Sequence, residues 1–374
     1  MEQIYIGLIS GTSLDGIDAI AIDLSERKPR VLANYYQPYD DELRQQLRQL
    51  CQGCSDELQL YTDLDNRLGR DFAAAAIAVS DKAGLKAEQI RAIGSHGQTV
   101  RHYPHTSHPN SLQIGDPNVI AELTGITTVA DLRRRDMAAG GEGAPMVPAF
   151  HHALFRSSAC DRIIVNIGGI ANLTVLAADD DIPVSGWDSG PGNTLMNAWI
   201  FSHQHQPQDT DGRWAAQGTT NQALLNDLLQ DAYFHRLPPK STGPEYFNRD
   251  WLDRYLLQYP DSDVNIQATL CELTTRSISL AIEQAIQAQA ISTKTPEIFI
   301  CGGGCHNPQI MQQLRKQLDG LRLDTTQALG LDPDWVEAAA FAWLAQQTIN
   351  GKSGNLPAVT GAQHPVILGG IYQV

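Results

Sequence analysis

At 374 residues the chain exceeds the ~250 residues at which single hydrophobic cores stop growing, so two domains are expected. Hydrophobic residues make up 42% and charged residues 18%, and the net charge is −15, a field that repels nucleic acid and anionic membrane surfaces and removes both from the candidate partners. No apolar run approaches the ~18 residues that cross a bilayer, and the first residues lack a basic segment leading into an apolar one, so a cytoplasmic protein is expected.

In chain order, "IYIGLISGTSLDGIDAIAID" (4–23) opens with two strands, 4–9 and 17–24, joined by a turn of Gly and hydroxyl side chains. Helices are predicted at 40–50 and 56–83, the second ending at Gly84. Residues 90–100 read as a short strand entering a Gly-rich turn. The stretch "HYPHTSHP" that follows is broken by two prolines, so His102, His105 and His108 are read as a solvated loop. A helix from Pro117 to about Thr124, a strand at 126–130 and a Gly-rich loop come next.

Near residue 160 the pattern restarts. "DRIIVNIGGIANLTVLAADD" is again apolar run, small-residue turn, apolar run, with Gly168-Gly169 in the place of Ser10-Gly11. Helices are predicted at 193–203, 221–233, 249–257, 268–289 and 308–318, with the strand "EIFICGGG" at 297–304 and a last helix opening at Asp332 or Asp334. No low-complexity linker separates the halves. The six cysteines are scattered, and Cys51-x-x-Cys54 lacks a second pair, so structural, reduced thiols are expected rather than zinc.

Three Gly-rich turns, at 10–16, 168–172 and 302–304, each follow an apolar strand. Glycine lets backbone N–H groups approach a ligand, and clustered amides bind phosphate oxygens. Thr12 and Ser13 add hydroxyl donors, and Asp15 or Asp18 is suited to a magnesium ion, held directly or through water. Such local devices are what an acidic protein needs to hold a phosphate. Neither the Walker phosphate motif nor the dinucleotide glycine fingerprint is present. Any one of these turns alone reads equally well as a hairpin.

This repeated grammar resembles the actin, Hsp70 and sugar-kinase superfamily. The resemblance implies an α/β fold of two ribonuclease-H-like domains around an interdomain ATP cleft, the domains being residues 1–130 and 131–374 with the last helix turned back toward the first. It makes Gly11, Thr12, Ser13, Leu14, Asp15, Gly16, Ile17 and Asp18 the first phosphate turn, with Asp15 toward Mg²⁺. Gly168, Gly169 and Asn172 become the second turn, and Gly302, Gly303 and Gly304 the adenosine turn. The motifs "GTSLDGID", "GSHGQTVRH", "VADLRRRDMAAGGEGAPMVPAFH", "NIGGIANLT", "GWDSGPGN", "KSTGPEYFN" and "CGGG" narrow the resemblance to the anhydro-N-acetylmuramic acid kinases, over nearly the whole chain.

For that family the resemblance implies ATP and Mg²⁺ as cofactors, a small anhydro amino sugar as substrate, a place in peptidoglycan recycling and a homodimer. Water must open the sugar's 1,6-bridge, and O6 must take the γ-phosphate. Asp188 in "GWDSGPGN" matches the base; its plain alternative is a turn-capping Asp. The substrate's lactyl carboxylate asks for a cation, so Arg133 and Arg134, beside Asp136, are candidates, although a solvated charge run reads as well. His96 and Gln98 are candidates for the sugar, with a satisfied buried His as the alternative. Glu337 fits either a substrate-facing carboxylate or a helix-capping pair with Asp334, and Lys240 either reaches a phosphate or, the plainer reading, is an exposed loop lysine. The rival readings are another sugar or carboxylate kinase of the same fold and, from a different class, an actin- or chaperone-like ATPase.

Overall fold

The computed structural model describes residues 2–26, 28–238, 240–288, 291–293 and 295–374. The chain divides into two compact units, Met1–Leu154 with Trp335–Val374, and Phe155–Asp334. In the first unit lie strands β1 (Ile4–Ser10), β2 (Gly16–Asp23), β3 (Arg30–Pro38), β4 (Ile90–Tyr103), β5 (Asn110–Ile114) and β6 (Thr128–Ala130). The second holds β7 (Arg162–Ile167), β8 (Ile170–Leu176), β9 (Ser185–Pro191), β10 (Glu297–Cys301) and β11 (Leu323–Thr325), and β12 (Gly370–Tyr372) returns to the first.

The repeat seen along the chain becomes a repeat of sheet topology. The first sheet runs β12-β6-β4-β1-β2-β3, with β5 paired to β4, and the second runs β11-β10-β7-β8-β9. In each, three consecutive strands form an antiparallel meander, a fourth lies parallel to the first of them, and a fifth lies parallel to the fourth. This is the ribonuclease-H-like order, present in both units. Each unit has its own apolar core, the first built around Ile6, Leu8, Leu68 and Phe72, the second around Val165, Leu173, Trp251 and Ile300.

Strand β1 is buried at every position, the mark of a central strand covered on both faces. Gly7 on β1 and Gly94 on β4 are register partners. A Cβ at Gly7 would lie 1.8 Å from the Ala338 carbonyl oxygen, and one at Gly94 2.0 Å from that of Phe341. The helix Val336–Ile349 therefore rests its backbone directly on these strands, and its run of alanines is what permits the approach.

That packing, with a tie at Asp136, sets the units' limits at 154/155 and 334/335 rather than at 130/131. Asp136 is fully buried. Its carboxylate accepts from Asn355 Nδ2 (2.7 Å), Thr360 Oγ1 (2.7 Å) and the Gly143 N–H (2.9 Å), which joins 131–154 to the C-terminal segment. Local differences from the expected elements have similar causes. Strand β4 runs on to Tyr103 because β5 pairs with it, so His102 is a strand residue, 3.0 Å from Ser111 Oγ. A helix, Leu132–Ala138, stands where a Gly-rich loop was expected, and Asp188 sits on β9 rather than in a turn. The final helix opens only at Val336 with Trp335 as its N-cap, so Asp334 and Glu337 form no capping pair.

Candidate active site

The first Gly-rich turn projects from the β1–β2 hairpin. Leu14, at φ 56, inserts its side chain into the core of the first unit, and its N–H closes the turn on the Gly11 carbonyl at 3.3 Å. A left-handed leucine costs about 1 kcal/mol, which burial of its side chain offsets. Thr12, Ser13 and Asp15 are exposed; the Ser13 hydroxyl donates to Asp15 Oδ1 at 2.6 Å. Among the described residues the N–H groups of Gly11, Thr12 and Ser13 donate to no protein acceptor. Gln98, completely buried, pins the turn from below. It accepts from Ser10 Oγ (2.6 Å) and donates to the carbonyls of Gly11 and Thr99 (3.2 Å each). Its hydrogen-bonding groups are thus engaged in holding the turn, which takes Gln98 away from the sugar-contact role expected of it.

In the second unit the β7–β8 turn is held by its carbonyls. Gly168 accepts from the Asn193 N–H (2.9 Å), and Gly169 from those of Gly192 (2.8 Å) and Thr194 (3.1 Å). The N–H groups of Gly168 and Gly169 donate to nothing among the described residues, and a Cβ at either position would make only ordinary van der Waals contacts, with Ile170 O and Thr194. Asn172 is half-buried on β8, paired with Asn166 and Asp188. The third turn follows β10: Gly302 and Gly304 press on β7, whereas Gly303 faces open space. Gly303, Asn193, Asn197, His306 and Asn307 line a cavity of about 150 Å³ beside these glycines. A larger hollow of about 490 Å³, between Gln222, Glu272, Arg276 and Lys316, contains none of the motif residues.

Asp188 is half-buried on β9, in register with Asn172. Its Oδ2 accepts one N–H, from Thr242 at 2.9 Å, while its backbone N–H and C=O engage the Lys240 carbonyl and the Tyr233 hydroxyl. Burial raises its pKa to about 7; the Thr242 N–H and the Lys240 charge pull it down, and Glu245 pushes it up. A carboxyl that titrates near neutrality can exchange a proton with water at physiological pH. Among the described residues the Thr242 hydroxyl beside it is buried without a partner, as are Ser185 Oγ and Trp187 Nε1 on the same strand. Lys240 is half-buried, its ammonium near the carbonyls of Tyr233 and Phe234 and 4.9 Å above the Tyr233 ring, so it is no free loop lysine.

In the first unit the candidate sugar residues sort themselves by their hydrogen bonds. Arg133 donates from Nε to His96 Nε2 (3.0 Å) and from Nη1 to the Gly143 carbonyl (2.8 Å); its Nη2 has no partner among the described residues. His96 contacts Gly97 O through Nδ1 (2.9 Å), so both ring nitrogens are committed. Burial and the neighbouring Arg133 hold its pKa well below the ordinary range, keeping it neutral, and its ring lies 4.6 Å from that of Phe341. Burial brings Arg133 down to about 10 and nearby Glu337 opposes this, so the guanidinium stays charged at neutral pH. The Glu337 side chain still meets solvent, yet the protein crowded around it raises its pKa, against the pull of Arg133. Arg134 is clamped through both Nε and Nη2 by Asp131, and Asp136 reaches no surface. Asp136 is therefore out of reach of a ligand, whereas Arg134 is exposed with Nε and Nη2 already engaged.

The sequence names Asp188, Arg133 and Glu337 as candidates; it does not single out Thr242 and Tyr233, which bond Asp188, or Asn193 and His306, which line the cavity beside Gly303. "KSTGPEYFN" and "GPGN" were the available signals for Thr242 and Asn193.

Comparison with known proteins agrees with these motifs. Residues 3–374 match the family model described as anhydro-N-acetylmuramic acid kinase. A relative of that name from Coxiella burnetii is 47% identical over 371 residues, covering 99% of this chain and 98% of the relative. Others of that name from Shewanella sediminis and Photobacterium profundum are each 48% identical, over 369 and 372 residues, with 98% of both chains covered. Component A of an Acidaminococcus fermentans (R)-2-hydroxyglutaryl-CoA dehydratase is a distant structural likeness, at TM-score 0.44 and 10% identity over 91% of this chain and 96% of that one, and carries no weight here. With nearly its whole length matched at close to half identity, this chain belongs to the anhydro-N-acetylmuramic acid kinase family.

Proposed function

We propose that the protein uses ATP and water to convert 1,6-anhydro-N-acetylmuramic acid to N-acetylmuramic acid 6-phosphate and ADP, a cytoplasmic step in the reuse of cell-wall material. The observation that carries this reading is Asp188: a half-buried carboxyl raised to about 7, restrained by one N–H and flanked by the Thr242 hydroxyl, which has no partner among the described residues. As general base it takes a proton from a water attacking C1. The C1–O6 bond breaks, O6 keeps the electron pair, and that oxygen attacks the γ-phosphorus in line while ADP leaves. No separate base is needed for O6, because the leaving group of the first bond is the nucleophile of the second. The proton on Asp188 then passes to solvent.

The phosphates fall to the free N–H groups of Gly11, Thr12 and Ser13 and of Gly168 and Gly169, and the adenosine to the cavity beside Gly303. For Mg²⁺ the donor set fits: the exposed carboxylate of Asp15, accepting the Ser13 hydroxyl, suits an ion that keeps most of its waters. When bound, that ion neutralises phosphate charge. The free Nη2 edge of Arg133 takes the lactyl carboxylate, with His96 holding the guanidinium in place, and Glu337 faces a sugar hydroxyl or the water.

The test is incubation with ATP, Mg²⁺ and the anhydrosugar in ¹⁸O-water, read by mass spectrometry. One phosphosugar per ADP with the heavy oxygen at C1 is expected. Product without label would remove the hydrolytic step, and a product made equally well from an unbridged sugar would favour an ordinary sugar kinase.

A further inference from the structure

Beyond β10 the chain places a sulfur, a nitrogen and an oxygen donor together to which the proposed phosphoryl transfer assigns no chemical step. Cys305 and His306 follow Gly304 in a tight turn, and Asp334 is the last residue of the second unit. One ligand atom from each of the three lies within 4.8 Å of the others, and His306 Nε2 is 2.7 Å from Asp334 Oδ1. The segments carrying them are tied by backbone, the Gly302 N–H donating to the Pro333 carbonyl at 3.0 Å; within 332–334 the Asp334 N–H donates to Asp332 Oδ1 at 3.0 Å. Asp332 and Asp334 both place negative charge near the Cys305 sulfur. Such a field favours a bound cation.

We infer that Cys305, His306 and Asp334 form a binding site for a thiophilic divalent cation of the zinc class. A mixed sulfur, nitrogen and carboxylate set selects Zn²⁺ over Mg²⁺, which takes oxygen donors alone, and three protein ligands leave a fourth position for water. On loading, the Cys305 thiol gives its proton to solvent as the metal–sulfur bond forms, and the His306–Asp334 contact is replaced by two bonds to the ion. The bound cation staples the turn after β10 to residues 332–334. His306 also lines the cavity beside Gly303, so loading adds positive charge at that wall.

The test uses the purified full-length protein, stripped by a chelator and titrated with Co²⁺ and Zn²⁺ without nucleotide or sugar, so that its outcome is independent of the proposed kinase reaction. We expect one equivalent of Co²⁺ to give a thiolate-to-cobalt charge-transfer band that Zn²⁺ abolishes. The band should disappear in Cys305→Ser, and Zn²⁺ affinity should fall in His306→Ala by more than the about tenfold that loss of even a supporting partner costs. In Cys51→Ser/Cys54→Ser, which alters the other cysteine pair, the band should persist. Absence of the band in the wild type, its loss from the Cys51/Cys54 variant, or unchanged Zn²⁺ affinity in His306→Ala would overturn the assignment.

Discussion

Asp136 in the first unit and Asp188 in the second are both carboxylates taken largely out of water, on units of the same sheet order, and they have opposite fates. Asp136 meets two side-chain donors and one backbone N–H and reaches no solvent. Asp188 keeps a single N–H and some contact with water, and its pKa rises to about 7. Burial alone therefore does not make a carboxylate reactive. The number of donors aimed at it separates a structural tie from a candidate base.

The strongest way to break this contrast is Asp188→Asn. Removal of a general base should lower turnover about 10²- to 10⁴-fold, measured as ADP released with the anhydrosugar, while ATP still binds. Near-normal turnover would leave Asp188 no part in the chemistry. Asp136→Ala should act on the other property. By orphaning Asn355, Thr360 and the Gly143 N–H it should lower unfolding stability by about 3 kcal/mol in a urea titration; a loss under about 1 kcal/mol would mean that the tie is dispensable.

Third comes the pH dependence of stability. Asp188 in the folded protein holds its proton up to about pH 7, whereas the unfolded carboxyl releases it near 3.8. Between these values the native state binds the extra proton, so stability falls as pH rises, and the full penalty is present above 7. Asp188→Asn removes that penalty. Its stability advantage over the wild type should grow from pH 4 to pH 8 and reach about 1–3 kcal/mol, below the raw conversion of the shift because the carboxyl keeps some solvent. An advantage that stayed constant with pH would refute the raised pKa. The smallest effect is expected from Lys240→Met. Loss of a charge that lowers Asp188 should move the acidic limb of kcat/KM upward by less than about one pH unit, and a downward move would contradict the geometry.

How much could be read before folding depended on whether a residue's role is local. The β1–β2 and β7–β8 hairpins, the helix ending at Gly84 and the motif around Asp188 were legible, since apolar runs and glycine turns act over a few neighbouring positions. The roles of Gln98, His96 and Arg134 were not. Each is decided by a partner's geometry: Gln98 meets Ser10 from 88 positions away, His96 meets Arg133 from 37 away, and Arg134 is captured by Asp131 in a helix that was expected to be a loop. The boundary at 130/131 failed for the same reason, because Asp136 is bound by Asn355 and Thr360 more than 200 positions later.

From the order of residues alone came the family, the repeated strand–turn–strand grammar, the three glycine turns and Asp188 as the candidate base. Only the tertiary structure decided that Asp188 titrates near neutrality, that Asp136 is a tie, that Gly7 and Gly94 exist to admit a helix backbone, and that Cys305, His306 and Asp334 meet. The reason is physical. Turn chemistry and strand periodicity are set by neighbours along the chain, whereas proton affinity and coordination are set by whatever atoms, however distant in sequence, replace the water around a group.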